Sequence, residues 1–326
     1  MGVVRRQSIK ATIVTYIGLI VGYVNLAYFF PKIFSTEQIG LISFILGTSN
    51  ILLAIFQLGT PSMIVRFNPI VKKHNQAKYL FKFSLVIPFF LFLLLFGVLG
   101  LSSSWIVEHF FQDSPLIKKY YLFIPLFTFS MGFLGVFSAH CKSNLRIVVP
   151  NIVEKFIIRI LLLGLILIYF YTNSFKFSFF IIGYAAIYFL GMFLVAAYFF
   201  NLNSLKSETK QESLTATFKK ELLTFGSLSF LTVIGGRVVE NIDIIMLSSM
   251  LDLSAAGIYK IAFYIGGVIM IPMGALGQIS APIFAEAWKN NDLNKISELY
   301  KKASINLTLI GGLLFIGIFI NIDNIF

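Results

Sequence analysis

Long apolar runs, separated by short polar and mostly basic connections, organise this chain from end to end. A helix needs about twenty mostly apolar residues to cross a bilayer. Nine segments meet that length, at 11–31, 39–62, 83–101, 120–140, 150–171, 178–200, 222–249, 255–282 and 303–321. Pro88, Pro125 and Pro272 fall inside such runs, where neighbouring helices can satisfy the freed backbone groups and bends are expected. The most polar stretch, "NLNSLKSETKQESLTATFKKE", separates the sixth run from the seventh. It divides the chain into a six-helix transmembrane bundle at 1–201, a cytoplasmic linker at 202–221 and a three-helix partial bundle at 222–326. The pattern predicts an all-α, polytopic transmembrane helix bundle.

The loop charges orient it. With the N-terminus inside, the inner segments hold eighteen Lys and Arg, among them Arg66, Lys72, Lys78, Lys82, Lys142, Lys219 and Lys220. The outer segments hold four: Lys32, Lys118, Lys119 and Lys176. That imbalance places the N-terminus in the cytoplasm. The opening "MGVVRRQSIK" leads into a run too long for a cleaved signal and lacking a small-x-small cleavage site, so it reads as a retained first helix.

Sliding the chain on itself by 217 positions lays Gly18 on Gly235, Val21 on Val238, Gly40 on Gly257, Phe67 on Phe284, Lys72 on Lys289 and Lys78 on Lys295. Six identities in sixty-one columns barely exceed chance. The layout is the better signal: in both copies a helix ends, a short outer turn follows, and a helix with an early glycine leads into a basic inner loop. Six helices precede the second copy, so the copies point the same way across the membrane. This is a parallel repeat of six-helix halves about an axis along the membrane normal, a plan in which sites form between halves. The second half counts three helices and stops at "FINIDNIF", which reads as an incomplete half, truncated at the C-terminus.

Composition agrees with the pattern. The chain is 58% hydrophobic and 12% charged, with 37 phenylalanines and a mean hydropathy of +0.87, against about 25% charged residues in an ordinary soluble domain. The net charge of +12 does not signal nucleic acid, because the basic residues sit in loops between apolar runs and form no stripe on a soluble domain. Cys141 is alone, which excludes an intramolecular disulfide, and His74, His109 and His140 are scattered, so no metal site is expected. There is no phosphate-binding glycine loop, no H-E-x-x-H and no G-x-S-x-G. The expectation is a non-enzyme without a cofactor, energised by a gradient or by its substrate's downhill transfer.

The chemistry lies in the ionisable groups inside spans, which are costly there and normally face an interior or a wet cavity. In "GGRVVENIDIIM", Arg237, Glu240, Asn241 and Asp243 share an arc of roughly 160° at 100° per residue, and Arg237 can pair with Glu240 at i, i+3. Either that arc walls a cavity, or an Arg–Glu pair locks the seventh helix to a neighbour and leaves Asp243 to be neutralised. Lys260 in "GIYKIAFY" can partner Asp243, contact a phosphate, or snorkel to the headgroups. On the fifth span Glu154, Lys155 and Arg159 follow Pro150, with Lys155 and Arg159 at i, i+4 on one face. Asn25, mid-span in the first helix, is a candidate for interhelical hydrogen bonding.

Three stretches carry a resemblance: "FFPKIFSTEQIGLISFILG" at 29–47, "AHCKSNLRIVVPNIVEKFIIRILLLGLIL" at 139–167 and "DLSAAGIYKIAFYIGGVIMIPMGALGQISAPIFAE" at 252–286. Through them the chain resembles the bacterial polysaccharide-export flippases of the multidrug/oligosaccharidyl-lipid/polysaccharide (MOP) exporter superfamily, which also holds the MATE antiporters. The resemblance implies two helix bundles in a V that pass an undecaprenyl-pyrophosphate-linked glycan from the inner to the outer leaflet of a bacterial cytoplasmic membrane. Lys155 and Arg159 then suit a pyrophosphate entering from inside, and the Arg237 arc a charged, sugar-bearing substrate or a coupling ion. The competing expectation is a Na⁺- or H⁺-coupled multidrug antiporter, for which the first helix offers Asn25 in place of a carboxylate. A membrane glycan polymerase would need a large outer loop, whereas the longest here is 102–119. The expected partners are therefore a lipid-linked glycan, membrane lipids and a coupling cation, and no nucleic acid.

Overall fold

The computed structural model describes residues 14–73, 76–111, 114–172, 176–202, 215–289 and 291–322, and among them every regular element is a helix. Arg5, Arg6, Lys10, His74, 203–214 of the polar linker and the last four residues lie outside the described residues.

Helix α1 runs Val14–Ile33 and contains a π turn at Val24–Phe29. Helices α2 (Thr36–Gln57), α3 (Thr60–Lys73) and α4 (Ala77–Leu101) follow. Two short helices, α5 (Ser103–Phe110) and α6 (Pro115–Tyr120), lead to α7 (Phe123–Ser143). Helix α8 is made of three joined pieces: Val148–Ile152, a π turn at Val153–Ile157, and Ile158–Thr172. Helices α9 (Phe177–Asn201), α10 (Ala216–Met250) and α11 (Leu253–Gly267) come next. A 3₁₀ turn then leads into α12 (Ile271–Lys289), and α13 (Leu293–Ile320) follows it.

Among the described residues, eight helical segments are long and apolar enough to cross a membrane. The predicted fifth span is helical throughout as α8 but is not one of the eight. Its uninterrupted α-helical part is only 15 residues, and Glu154, Lys155 and Arg159 crowd its first half. The predicted second span is longer than expected, Thr36–Lys72, because helix resumes after a two-residue break. Leu58 and Gly59 there take left-handed conformations, φ 43° and 68°. A Cβ on Gly59 would overlap the Gly226 carbonyl of α10, so both the turn and the close approach call for glycine. The last six residues of the predicted linker are helical, because the Thr215 hydroxyl accepts from the Phe218 amide at 3.3 Å and caps α10. At 35 residues, α10 spans about 52 Å against a hydrocarbon core of about 30 Å, so one of its ends extends past the apolar layer.

Packing divides the chain into two compact units, Met1–Ile258 and Tyr259–Phe326. In the first, α7 is central and packs on α2, α3, α4 and α9. Three side chains on the α2–α3 run donate to backbone carbonyls of α7: Ser49 to Ile124 at 3.0 Å, Gln57 to Gly132 at 3.0 Å and Asn68 to Ser143 at 3.2 Å. Each pair is separated by 75 positions, so the two runs are parallel and in constant register. Gly132 makes room for the ring of Phe56, which a Cβ would overlap. Around this seam Phe56, Cys141, Val195 and Phe199 are at most 1% exposed. In the second unit α12 and α13 pack together, Gly311 faces Ile269, and α13 has no buried residue.

The internal repeat has a structural counterpart at the start of α2 and of α11. Ser35 caps α2 in a capping box with Gln38. Its partner in the 217 register, Asp252, accepts from the Ala255 amide at 2.7 Å. A Cβ on Gly40 would overlap the Leu253 carbonyl, and one on Gly257 would overlap the Thr36 carbonyl. Leu253 is Thr36 advanced by 217, so the contact is two-fold within the chain. The Thr36 and Ser254 hydroxyls are 2.6 Å apart beside it.

Candidate functional site

The polar groups placed inside spans fall into two clusters within the first unit. The first joins α10 to α2. Helix α10 turns Arg237 toward α2, where its Nη1 donates to the Asn50 side-chain oxygen at 3.0 Å and to the Asn50 carbonyl at 3.3 Å. Its Nε is buried without a hydrogen-bond partner. Asn241, one turn on, donates to the Arg237 carbonyl at 2.9 Å and is buried against Gly47, where an added Cβ would meet its Oδ1 at 3.5 Å. Glu240 and Asp243 are exposed to the surroundings of the protein.

The expected Arg237–Glu240 pair does not form. Ion pairs do form between Lys142 and Glu154 at 3.3 Å and between Lys302 and Glu298 at 2.6 Å. Arg237 does lock α10 to a neighbour, but through a neutral amide. Asn50 is the residue that sequence reading missed. Its signal was the one that singled out Asn25, an amide in the middle of an apolar run, and its i−4 bond to the Leu46 carbonyl holds it in place for the guanidinium.

The second cluster joins α1 to α8 where both helices carry π turns. Asn25 lies in the first π turn and is fully buried. It donates to the Arg159 carbonyl at 2.8 Å, and its Oδ1 has no partner. Arg159 returns the contact, its Nη1 donating to the Gly18 carbonyl at 2.6 Å. Gly18 and Gly22 make this approach possible. A Cβ on Gly18 would overlap the Lys155 carbonyl, and one on Gly22 would lie 2.7 Å from Arg159 Nη1. A π turn widens the helix by one residue and frees backbone groups, a geometry common at functional sites. Lys155 lies in the second π turn with its side chain exposed, while Glu154 pairs with Lys142.

Thus Asn25, Lys155 and Arg159 come together on α1 and α8, and Arg237 and Asn241 come together with Asn50 on α10 and α2. Lys260 belongs to the second unit. It sits over the rings of Phe263 and Tyr264, 4.9 Å from each centroid, a cation–π contact on its own helix.

A family model described as "Polysaccharide biosynthesis protein" matches residues 4–288, and no curated protein sequence matches. Among solved structures the chain is similar to the inward-facing conformation of a multidrug resistance MATE family transporter of the MOP superfamily. The TM-score is 0.68 at 15% identity, over 98% of this chain and 70% of that one. At that identity the likeness is one of fold alone. With most of its length matched by the family model, the chain belongs to the polysaccharide biosynthesis protein family.

Proposed function

We propose that the chain is a transporter that moves a lipid-linked oligosaccharide, borne on undecaprenyl pyrophosphate, from the inner to the outer leaflet of a bacterial cytoplasmic membrane. In this reading the N-terminus is cytoplasmic, and 1–201 and 222–326 form the two bundles of an alternating-access pair, joined by the linker at 202–221. Family and fold support it. The observation that carries it is Arg237, a guanidinium inside a span held by the amide and carbonyl of Asn50. A guanidinium offers a planar fork of donors that matches a phosphate, and its charge persists at any physiological pH. Lys155 and Arg159 supply the first cationic contact near the cytoplasmic ends of α1 and α8. Glu240, Asp243 and Asn241 on the same helix as Arg237 supply acceptors for sugar hydroxyls.

Alanine at Arg237, or at Lys155 and Arg159 together, is expected to abolish surface glycan while the protein still inserts. Normal export in both variants overturns the reading. The likeness in fold to a multidrug transporter favours a second reading, a Na⁺- or H⁺-coupled antiporter using Glu240 and Asp243. Purified protein in liposomes then exchanges a cationic dye against an imposed ion gradient, and absence of exchange under both gradients removes it.

A further inference from the structure

Away from both polar clusters, α4, α7 and α9 enclose an open groove of about 640 Å³. That volume is within the range of about 300–1,000 Å³ usual for ligand sites. Seven of its twelve lining residues are phenylalanine and none is polar. Phe89, Phe90, Phe193 and Phe200 are 45–67% exposed although they wall a concavity. The lining runs over 85–90 on α4, 129–137 on α7 and 192–200 on α9. The longer stretches rise about 12 Å at 1.5 Å per residue, close to the half-thickness of a hydrocarbon core of about 30 Å. The groove is therefore the length of one leaflet's chain. Below it, Lys82 and Lys78 lie on the same face of α4. At about 100° per residue, Lys78 falls about 40° from Lys82, with Phe89 between them, Leu85 on one side and Val86 and Phe90 on the other. Both lysines are exposed.

We propose that this groove is a binding site for an anionic phospholipid, with one acyl chain against the phenylalanines and the phosphate on Lys82 and Lys78. The occupant is a resident lipid of the membrane and not the cargo. Its lining residues lie on α4, α7 and α9 and include neither Arg237 nor Asn50, which are on α10 and α2. A groove one leaflet long also suits an ordinary acyl chain better than a longer polyprenyl tail. In the proposed orientation the lysines face the cytoplasmic leaflet, whose anionic lipids attract basic side chains; the inference rests on that reading only for which leaflet supplies the lipid.

The test is native mass spectrometry of the purified full chain in detergent, titrated separately with dioleoylphosphatidylglycerol, dioleoylphosphatidylcholine and decaprenyl phosphate. We expect the anionic glycerolipid to bind more tightly than the zwitterionic one. Lys78→Gln with Lys82→Gln should weaken it about thirtyfold, as two lysine–headgroup contacts imply, and Lys219→Gln should leave it unchanged. Ala197→Trp, on the exposed rim, should weaken both glycerolipids by filling the groove. Equal binding of the two glycerolipids overturns the proposal, as does the wild-type preference persisting in the double glutamine variant. Decaprenyl phosphate lost selectively in Ala197→Trp assigns the groove to cargo and also overturns it. The two exposed lysines carry the test even where Ala197→Trp does not fold. Binding is read without transport, so a failure of glycan export leaves this result standing, and a failure here leaves the transport reading standing.

Discussion

Gly40 and Gly257 touch across the contact of α2 and α11, and each leaves room for a carbonyl from the other helix, that of Leu253 or of Thr36. Without side chains the two backbones approach closely enough for Cα–H groups to face carbonyl oxygens. Gly40→Ala and Gly257→Ala must each push backbone, not a pliable side chain. Each is expected to cost about 1–3 kcal/mol, measured as reduced thermal stability of the purified protein. In a Cys141→Ala background, Thr36→Cys with Ser254→Cys is expected to form an internal disulfide on mild oxidation, because those hydroxyls are 2.6 Å apart. A pair that stays reduced would show that the contact is not made.

The Arg237–Asn50 bond separates an anion-binding role from a purely structural one. Asn50→Asp keeps the shape and supplies a carboxylate, which neutralises Arg237 and strengthens its anchor. If Arg237 reads an anion, this variant is folded and at least as stable, yet glycan export collapses. Retained export would make Arg237 a bolt between α2 and α10. Asn50→Leu is expected to lose about 1–3 kcal/mol, because it leaves a buried donor unsatisfied.

Along the α2–α7 seam, polar and steric contributions are expected to differ in size. Ser49→Ala removes one side-chain bond to a carbonyl and should cost about 0.6 kcal/mol, the average for interhelical hydrogen bonds in a membrane protein. Gly132→Val drives a branched side chain into the Phe56 ring and should cost several times more. Unfolding midpoints of the two variants in the same detergent compare them, and a larger effect at Ser49 would contradict the packing described.

Asn25→Leu removes the donor to the Arg159 carbonyl from inside the first π turn. The expected loss is about 1–2 kcal/mol, with faster amide exchange at Val24–Phe29 and at Val153–Ile157 together. Faster exchange at the first segment alone would mean that the two π turns are held independently.

The all-helical membrane class, most spans and the repeat register were legible because hydropathy and loop charge act over twenty residues at a time. Gly40 on Gly257 was one of six weak identities, and only the folded chain makes it a contact. The ladder from Ser49, Gln57 and Asn68 was not legible. Each residue is an ordinary polar side chain in an apolar run, and its carbonyl partner has no identity in the sequence. The π turns escaped for a similar reason, since the extra residue changes backbone bonding and not hydropathy. Of the four polar residues on the Arg237–Asp243 arc, Arg237 and Asn241 come together with Asn50, while Glu240 and Asp243 are exposed. The partner of Arg237 was misjudged because i, i+3 proximity on one helix competes with an acceptor on another, and charge attraction alone does not decide between them.

The 75-residue ladder has a mechanical corollary. Three bonds in constant register, two from α2 and one from α3, act like teeth on a rack, so the α2–α3 run cannot slide along α7 by a fraction of a turn without breaking all of them together. At the glycine face of Gly40 and Gly257 the side-chain bond described is that of the Thr36 and Ser254 hydroxyls. Displacement along the helix axes is thus opposed by more bonds at the α7 face of α2 than at its α11 face, and α2 is carried with α7 when this half of the molecule moves.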